Sequence, residues 1–313
     1  MPRERESPPS GIFSSAAVED LLHPLGFPIP NRALCEGWET PRLLVLVTTR
    51  AQNARNREVI RKTWGHVALR RDVRLAFFAA LAPTHDRRVQ DSLEEESRHF
   101  GDIIQADFID RYDNLTLKAV SILEWTLNYC ANITFLLKTD DDMFINTFQL
   151  LDFIDTHHAA INTIFGFLFT NGKPDRNPHS KWHVSESEYP ATHYPRFVAG
   201  PAYLLTSDTL HPLWKSALPH PFFKLEDVFL TGLIAQNLHI NRLGDPKFFN
   251  HVPDSPHRAR SVISMHGVPL KEFYNVWDSV CSSSGSREAD CILKLCALRA
   301  LALFLFLKRP FIG

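Results

Sequence analysis

The run Leu43-Leu44-Val45-Leu46-Val47, which breaks into Thr48-Thr49, constrains the fold more than any other stretch of the chain. It is apolar at every position, which is how a strand buried on both faces of a parallel sheet reads. Such a sheet needs helices on both faces, and the sequence supplies them in alternation. Residues 51–65 place Val59, Ile60, Thr63 and Trp64 at helical spacing, with Gly65 as the C-cap. Residues 73–81 read as strand, 85–100 as an exposed helix, 102–107 as strand and 114–130 as an amphipathic helix. Strand 133–137, helix 146–158, strand 163–169, strand 197–206 and helix 270–280 follow. The predicted class is α/β, with a mostly parallel central sheet flanked by helices.

The strand ending at Leu137 delivers Lys138-Thr139-Asp140-Asp141-Asp142. Three adjacent carboxylates repel one another, so a cation would relieve them. Hard divalent ions take carboxylate oxygens and often share them with substrate phosphates. Open α/β sheets bind ligands beyond the carboxyl ends of their strands, which is where this triplet falls. The plain alternative is a polar turn. A second acidic point, Glu226-Asp227, stands where an apolar helix begins. The helix dipole favours acids there, and a general base is the functional alternative. The strand within 261–267 ends in His266, a metal-ligand candidate although a lone His is usually structural. The helix after the first strand is basic at Arg55, Arg57, Arg61 and Lys62: either a solvated face or a contact to phosphate. The Pro-rich loop 170–195 carries Trp182, Tyr189 and Tyr194, which suit the apolar face of a sugar ring or a satellite core under the loop.

The chain has 313 residues, 44% hydrophobic and 22% charged, so it can bury a large core and is not disordered throughout. A net charge of -1 without a basic stripe argues against a nucleic-acid partner. The five cysteines match no paired zinc spacing. Sequons at Asn114 and Asn132, with the wide cysteine spacing, lean towards a secretory lumen. Residues 1–40 read as a disordered or loosely docked stem with Cys35 as a tether, and show no apolar signal-peptide region. Residues 41–280 read as one folded α/β domain. Residues 281–313 are a divergent tail whose apolar run, 300–307, is far short of the ~20 residues a membrane span needs.

Five stretches occur in a fixed order: Arg57-Glu58-Val59-Ile60-Arg61-Lys62-Thr63-Trp64-Gly65, Asp113-Asn114-Leu115-Thr116-Leu117-Lys118, Lys138-Thr139-Asp140-Asp141-Asp142, Tyr194-Pro195-Arg196-Phe197-Val198-Ala199-Gly200 and Glu226-Asp227-Val228-Phe229. Together they resemble the β1,3-galactosyltransferase and β1,3-N-acetylglucosaminyltransferase family, distantly related to Fringe, from about Leu43 to Trp277. The resemblance implies a GT-A fold and an inverting transfer from a UDP-sugar to a sugar 3-hydroxyl with Mn²⁺. Carried over by position, Asp142 is the direct metal ligand, Asp140 a supporting one and His266 a later one. Asp227 is the catalytic base. Arg57, Arg61, Lys138 and Asp141 fall on the donor side, and Trp182, Tyr194 and Glu226 on the acceptor side. The implied donor is UDP-galactose, with UDP-N-acetylglucosamine second, and the acceptor is a glycan on protein or lipid. The implied setting is the Golgi membrane, through an anchor this chain does not carry. A catalytically silent, lectin-like member is the alternative outside enzymes; a metal-dependent phosphohydrolase or nuclease would explain the acids but not the five stretches. The chain departs from the family in Gly200-Pro201-Ala202-Tyr203, where Gly-x-Gly-Tyr is common, and in lacking a Cys between 130 and 281.

Overall fold

The structure, a computed structural model, describes residues 16–22, 26–37, 41–83, 86–251 and 256–282. The strands among them are β1 (Leu43–Thr48), β2 (Val73–Leu81), β3 (Ile103–Ile109), β4 (Phe135–Asp140), β5 (Met143–Ile145), β6 (Thr163–Phe169), β7 (Phe197–Thr206), β8 (Asn241–Gly244) and β9 (Ser264–His266). The α-helices are α1 (Val18–Leu21), α2 (Ala54–Arg61), α3 (Arg87–Phe100), α4 (Leu115–Tyr129), α5 (Thr147–Thr156), α6 (Leu210–Ala217), α7 (Ala235–Asn237), α8 (Pro256–Ser261) and α9 (Phe273–Ser282). Seven strands form one sheet in the order β3-β2-β1-β4-β7-β6-β8, and β5 pairs with β9 in a second.

The apolar run at the start of the domain behaves as its pattern demands. Leu44 and Leu46 of β1 enter one core, with Leu117 and Val120 of α4 and Leu213 of α6. Leu43, Val45 and Val47 enter a second, with Ile60 of α2, Phe153 of α5 and Trp277 of α9. Both faces of the sheet are therefore covered by helices. β1 runs parallel to β2 and β4, β2 to β3, and β6 to β8. The exception is β7, antiparallel to both β4 and β6. Only its later half pairs with β4, from Ala202 opposite Thr139 to Thr206 opposite Phe135. Its earlier residues, Phe197 to Gly200, consequently project beyond the carboxyl end of β4, where the acid triplet emerges.

Three expectations change. The helix expected over 51–65 ends at Arg61, and a 3-10 turn, Trp64–Leu69, replaces its last part. Gly65 is not a cap; a Cβ there would stand 2.6 Å from the Ile60 carbonyl oxygen. The residues expected to form a loose stem are docked wherever they are described. Val18 is fully buried, Phe27 meets Phe78 and Tyr129 edge-on, and the Trp125 indole donates to the Pro30 carbonyl at 2.6 Å. A disulfide joins Cys35 to Cys130 at the end of α4, across 95 residues. The remaining stem and most of the expected tail lie outside the described residues. No helix among the described residues is long and apolar enough to cross a membrane.

Candidate active site

The site begins where β1 and β4 end side by side, with Thr48 in register with Asp140. Asp140 Oδ1 accepts from the Lys138 ammonium at 2.7 Å and from the Thr48 hydroxyl. Asp141 turns the other way. Its Oδ2 accepts from Thr49 Oγ1 at 2.5 Å and Asn53 Nδ2 at 2.9 Å, inside the loop that leads into α2. Burial raises the Asp141 carboxyl above its ordinary value against the opposing pull of these two donors. Asp142 points out into the cleft, with its Oδ2 3.3 Å from His266 Nε2.

The pairing of β5 with β9 makes that last contact. Met143, the residue after the triplet, is in register with His266. A short antiparallel ladder thus closes a gap of 124 residues. Burial pushes the Asp142 carboxyl up, but the hydrogen bond and charge of His266 outweigh it and the net shift is downward. The same hydrogen bond raises His266. One imidazole nitrogen and carboxylate oxygens at an open cleft suit a hard divalent ion such as Mn²⁺, with substrate oxygens completing its shell. Asp142 and His266 are already adjacent, whereas Asp140 is turned towards Lys138 and Thr48. No group of three or more His, Cys, Asp or Glu side chains that could hold a metal ion forms among the described residues.

The opposite wall comes from the projecting half of β7 and the π-helix Val228–Ile234. Asp227 stands at the start of that π-helix, and its carboxylate is fixed by two backbone N–H groups. Gly200 N–H donates to Oδ2 at 3.1 Å and Val228 N–H to Oδ1 at 2.9 Å. Burial nevertheless raises its pKa. Glu226 lies deeper, 6% exposed, accepting from the Tyr203 hydroxyl at 2.6 Å and standing 3.7 Å from Lys138 Nζ. Burial pushes Glu226 up to about 7, against the Lys138 charge. Gly200 permits this crowding: a Cβ there would lie 2.9 Å from Glu226 Oε2 and 3.5 Å from Asp227 Oδ2. Lys138 links the two walls. It donates to Asp140 and the Gly200 carbonyl, and these acids hold its ammonium charged despite burial.

The walls bound a cleft of about 720 Å³ that includes Asp140, Asp142, His266, Glu226, Asp227 and Trp182. A side pocket of about 270 Å³ opens behind the triplet, between Thr48, Thr49, Asn53, Asp110 and Lys118. Arg57 and Arg61 reach neither space. Arg57 is fully buried, pairs with Glu96 at 2.6 Å and donates to the Arg50 carbonyl at 2.7 Å and the Ala51 carbonyl at 3.0 Å. Arg61 pairs with Asp102 and Glu96, each at 2.7 Å. Arg57 braces the loop that holds Asp141, and Arg61 shares its partner Glu96; the structure does not bring either to a ligand. On the other wall, Glu226 and Tyr194 both line the cleft but are largely buried: Glu226 is held by Tyr203 and Lys138, and the Tyr194 ring packs under its loop, its centroid 4.9 Å from that of Tyr189. Trp182, 52% exposed, is the aromatic that projects. Of the sequon asparagines, Asn114 is half-buried and donates to the Ile109 carbonyl at 2.8 Å, whereas Asn132 is exposed in the turn after α4.

Sequence reasoning missed the buried pair Lys118–Asp110. Lys118 Nζ contacts Asp110 Oδ2 at 2.8 Å and donates to the Thr49 carbonyl at 3.0 Å, fixing the rim of the side pocket. A lysine on the apolar side of a helix was its signal. Tyr112, which lines both spaces, and Lys181 were also missed.

Acids and an imidazole on one wall, with a backbone-anchored carboxylate facing them, suit transfer of a sugar away from a charged leaving group. Comparison with known proteins gives that class, a hexosyltransferase, on an α/β fold with a mostly parallel sheet. The chain belongs to the galactosyltransferase family, whose profile matches residues 55–246. It is 35% identical over 256 residues to beta-1,3-galactosyltransferase 5 of Homo sapiens, covering 80% of this chain and 81% of that protein. It is 31% identical over 261 residues to beta-1,3-galactosyltransferase 1 of Mus musculus, covering 82% and 78%. Among solved structures, the galactosyltransferase LgtC with donor and acceptor sugar analogues aligns at 12% identity and a TM-score of 0.37, over 79% of this chain and 99% of that one.

Proposed function

We propose that the protein transfers galactose from UDP-galactose to the 3-hydroxyl of an acceptor glycan on protein or lipid, with inversion at C1. The observation that carries this reading is the fixed carboxylate of Asp227 facing the same cleft as Asp142 and His266. The names of the two relatives support the linkage and the sugar. Asp227 takes the proton of the acceptor hydroxyl as its oxygen attacks C1 from the face opposite UDP. Its raised pKa strengthens it as a base, and its two backbone donors fix its direction. A single displacement inverts the centre, so no protein nucleophile is needed. Lys138 and Tyr203 hold Glu226 in place beneath Asp227.

Asp142 and His266, with Asp140 beside them, would hold a Mn²⁺ ion, which when bound supplies Lewis-acid stabilisation of the departing diphosphate. Asp141, Lys138 and the side pocket serve the donor, with Arg57 acting through the 49–53 loop and Arg61 through the shared Glu96. Trp182 offers its exposed face to a sugar ring. The proposed setting is the Golgi lumen, at the membrane; the Cys35–Cys130 disulfide and the exposed Asn132 sequon support an oxidising, glycosylating compartment.

A donor screen tests the reading. UDP release is measured across UDP-sugars with acceptors ending in N-acetylglucosamine or N-acetylgalactosamine, with Mn²⁺ and with chelator. The expected result is acceptor-dependent turnover, highest with UDP-galactose and abolished by chelation. Faster turnover with UDP-N-acetylglucosamine would replace the donor. Well-folded protein that binds glycans and turns over no donor would overturn the enzymatic reading.

A further inference from the structure

Three cations around the two spaces are matched to carboxylates. Lys138 is held between Asp140 and Glu226, Lys118 by Asp110, and Lys224 by Glu188. Lys181 differs. It lines the cleft and is exposed, and no carboxylate among the described residues lies within ion-pair distance of it. It is nevertheless held. Its ammonium stands 4.5 Å from the Trp182 ring centroid and 5.9 Å from that of Tyr112. The two rings thus flank the same ammonium. An aromatic partner fixes an ammonium without cancelling its charge, as a carboxylate would.

The support itself is anchored. Arg176 donates to the carbonyls of Val184 and Tyr189, both at 2.7 Å, which pins the turn that carries Lys181 and Trp182. Tyr112 borders both the cleft and the side pocket, as do Asp140 and Asp142. Lys181 therefore lines the cleft together with Asp142 and His266, against the ring of Tyr112 that borders the side pocket as well. A donor lying from one space to the other places its diphosphate where the two meet.

We propose that Lys181 is a catalytic residue of the transfer: its ammonium, carried on Trp182 and Tyr112, binds the donor diphosphate and stabilises it as it leaves. The inference rests on the UDP-sugar reading of the site. As the acceptor oxygen bonds to C1, the bond from C1 to the β-phosphate oxygen breaks and its electron pair stays on that oxygen. The acceptor proton passes to Asp227. Lys181 keeps its own proton and offsets the growing charge through a charge-assisted hydrogen bond.

The test compares the wild type with Lys181→Met and Lys181→Arg, titrating each with UDP and with uridine in Mn²⁺ buffer and measuring kcat with saturating donor and acceptor. Wild-type protein that binds neither ligand would sink the UDP-sugar reading itself. Given wild-type binding, Lys181→Met is expected to weaken UDP about tenfold, leave uridine unchanged and lower kcat by a similar factor. Lys181→Arg, which keeps the charge, is expected to recover most of both. The proposal is overturned if Lys181→Met weakens UDP and uridine equally, changes neither UDP affinity nor kcat, or raises only the KM for acceptor. The last result would make the Lys181–Trp182 turn an acceptor platform.

Discussion

Glu226 and Asp227 are adjacent carboxylates with different surroundings, and their environments separate their roles. Asp227 keeps access to the cleft while two backbone N–H groups orient it. Glu226 is sealed against Tyr203 and Lys138. Because burial raises Glu226 from its ordinary 4.5 to about 7, the folded protein retains a proton there that the unfolded chain has released. Its contribution to stability is complete below about 4.5 and is lost as the pH rises through about 7. Within that window the slope is at most about 1.4 kcal/mol per pH unit. Glu226→Gln is expected to flatten this part of the stability profile, measured by urea unfolding between pH 4.5 and 8; an unchanged slope would place the titration elsewhere. At this scale the sequence showed which residues carry chemistry and not which way they face. The triplet was legible as a cluster in need of partners, because three adjacent acids repel one another. That Asp140 turns to Lys138, Asp141 to Thr49 and Asp142 to His266 depends on neighbours up to 124 residues away.

The elements that build the site divide into those with a strong local pattern and those without. The spans 73–81, 163–169 and 197–206 are strands as expected, since apolar and β-branched runs bounded by turn residues leave little choice. β5 and β8 were not legible. Met143–Ile145 is three residues long, and Asn241–Gly244 is polar and largely exposed, so each is a strand only because a neighbouring strand pairs with it. The reversal of β7 was equally hidden, since an apolar strand reads the same in either direction. The N-terminal segment shows the same dependence: its docking rests on Val18, Phe27 and the Cys35–Cys130 bond, not on periodicity. A crosslink spanning 95 residues restricts the unfolded chain strongly. Cys35→Ser is expected to cost about 2–4 kcal/mol in denaturant unfolding, with transfer activity retained below the transition. A loss under about 0.5 kcal/mol would show that packing alone holds the segment.

At the scale of the whole molecule, one reversed strand in an otherwise mostly parallel sheet makes the cleft two-sided. The parallel strands deliver Thr48 and the acid triplet to one edge. β7, entering from the opposite direction, carries Gly200 past that edge and meets Asp227 there. The two walls, Asp140 to Asp142 with His266 on one and Asp227 on the other, thus come from separate elements that share Lys138 as a buried tie. Division of labour across the cleft is the central claim: leaving-group stabilisation on one wall and proton removal on the other. Its most direct test is Asp227→Asn, assayed for galactose transfer from UDP-galactose and, in parallel, for UDP binding in Mn²⁺ buffer. Transfer is expected to fall about a thousandfold, with UDP affinity within about twofold of the wild type. Transfer near the wild-type rate, or loss of UDP binding together with transfer, would contradict the assignment of Asp227 as the base.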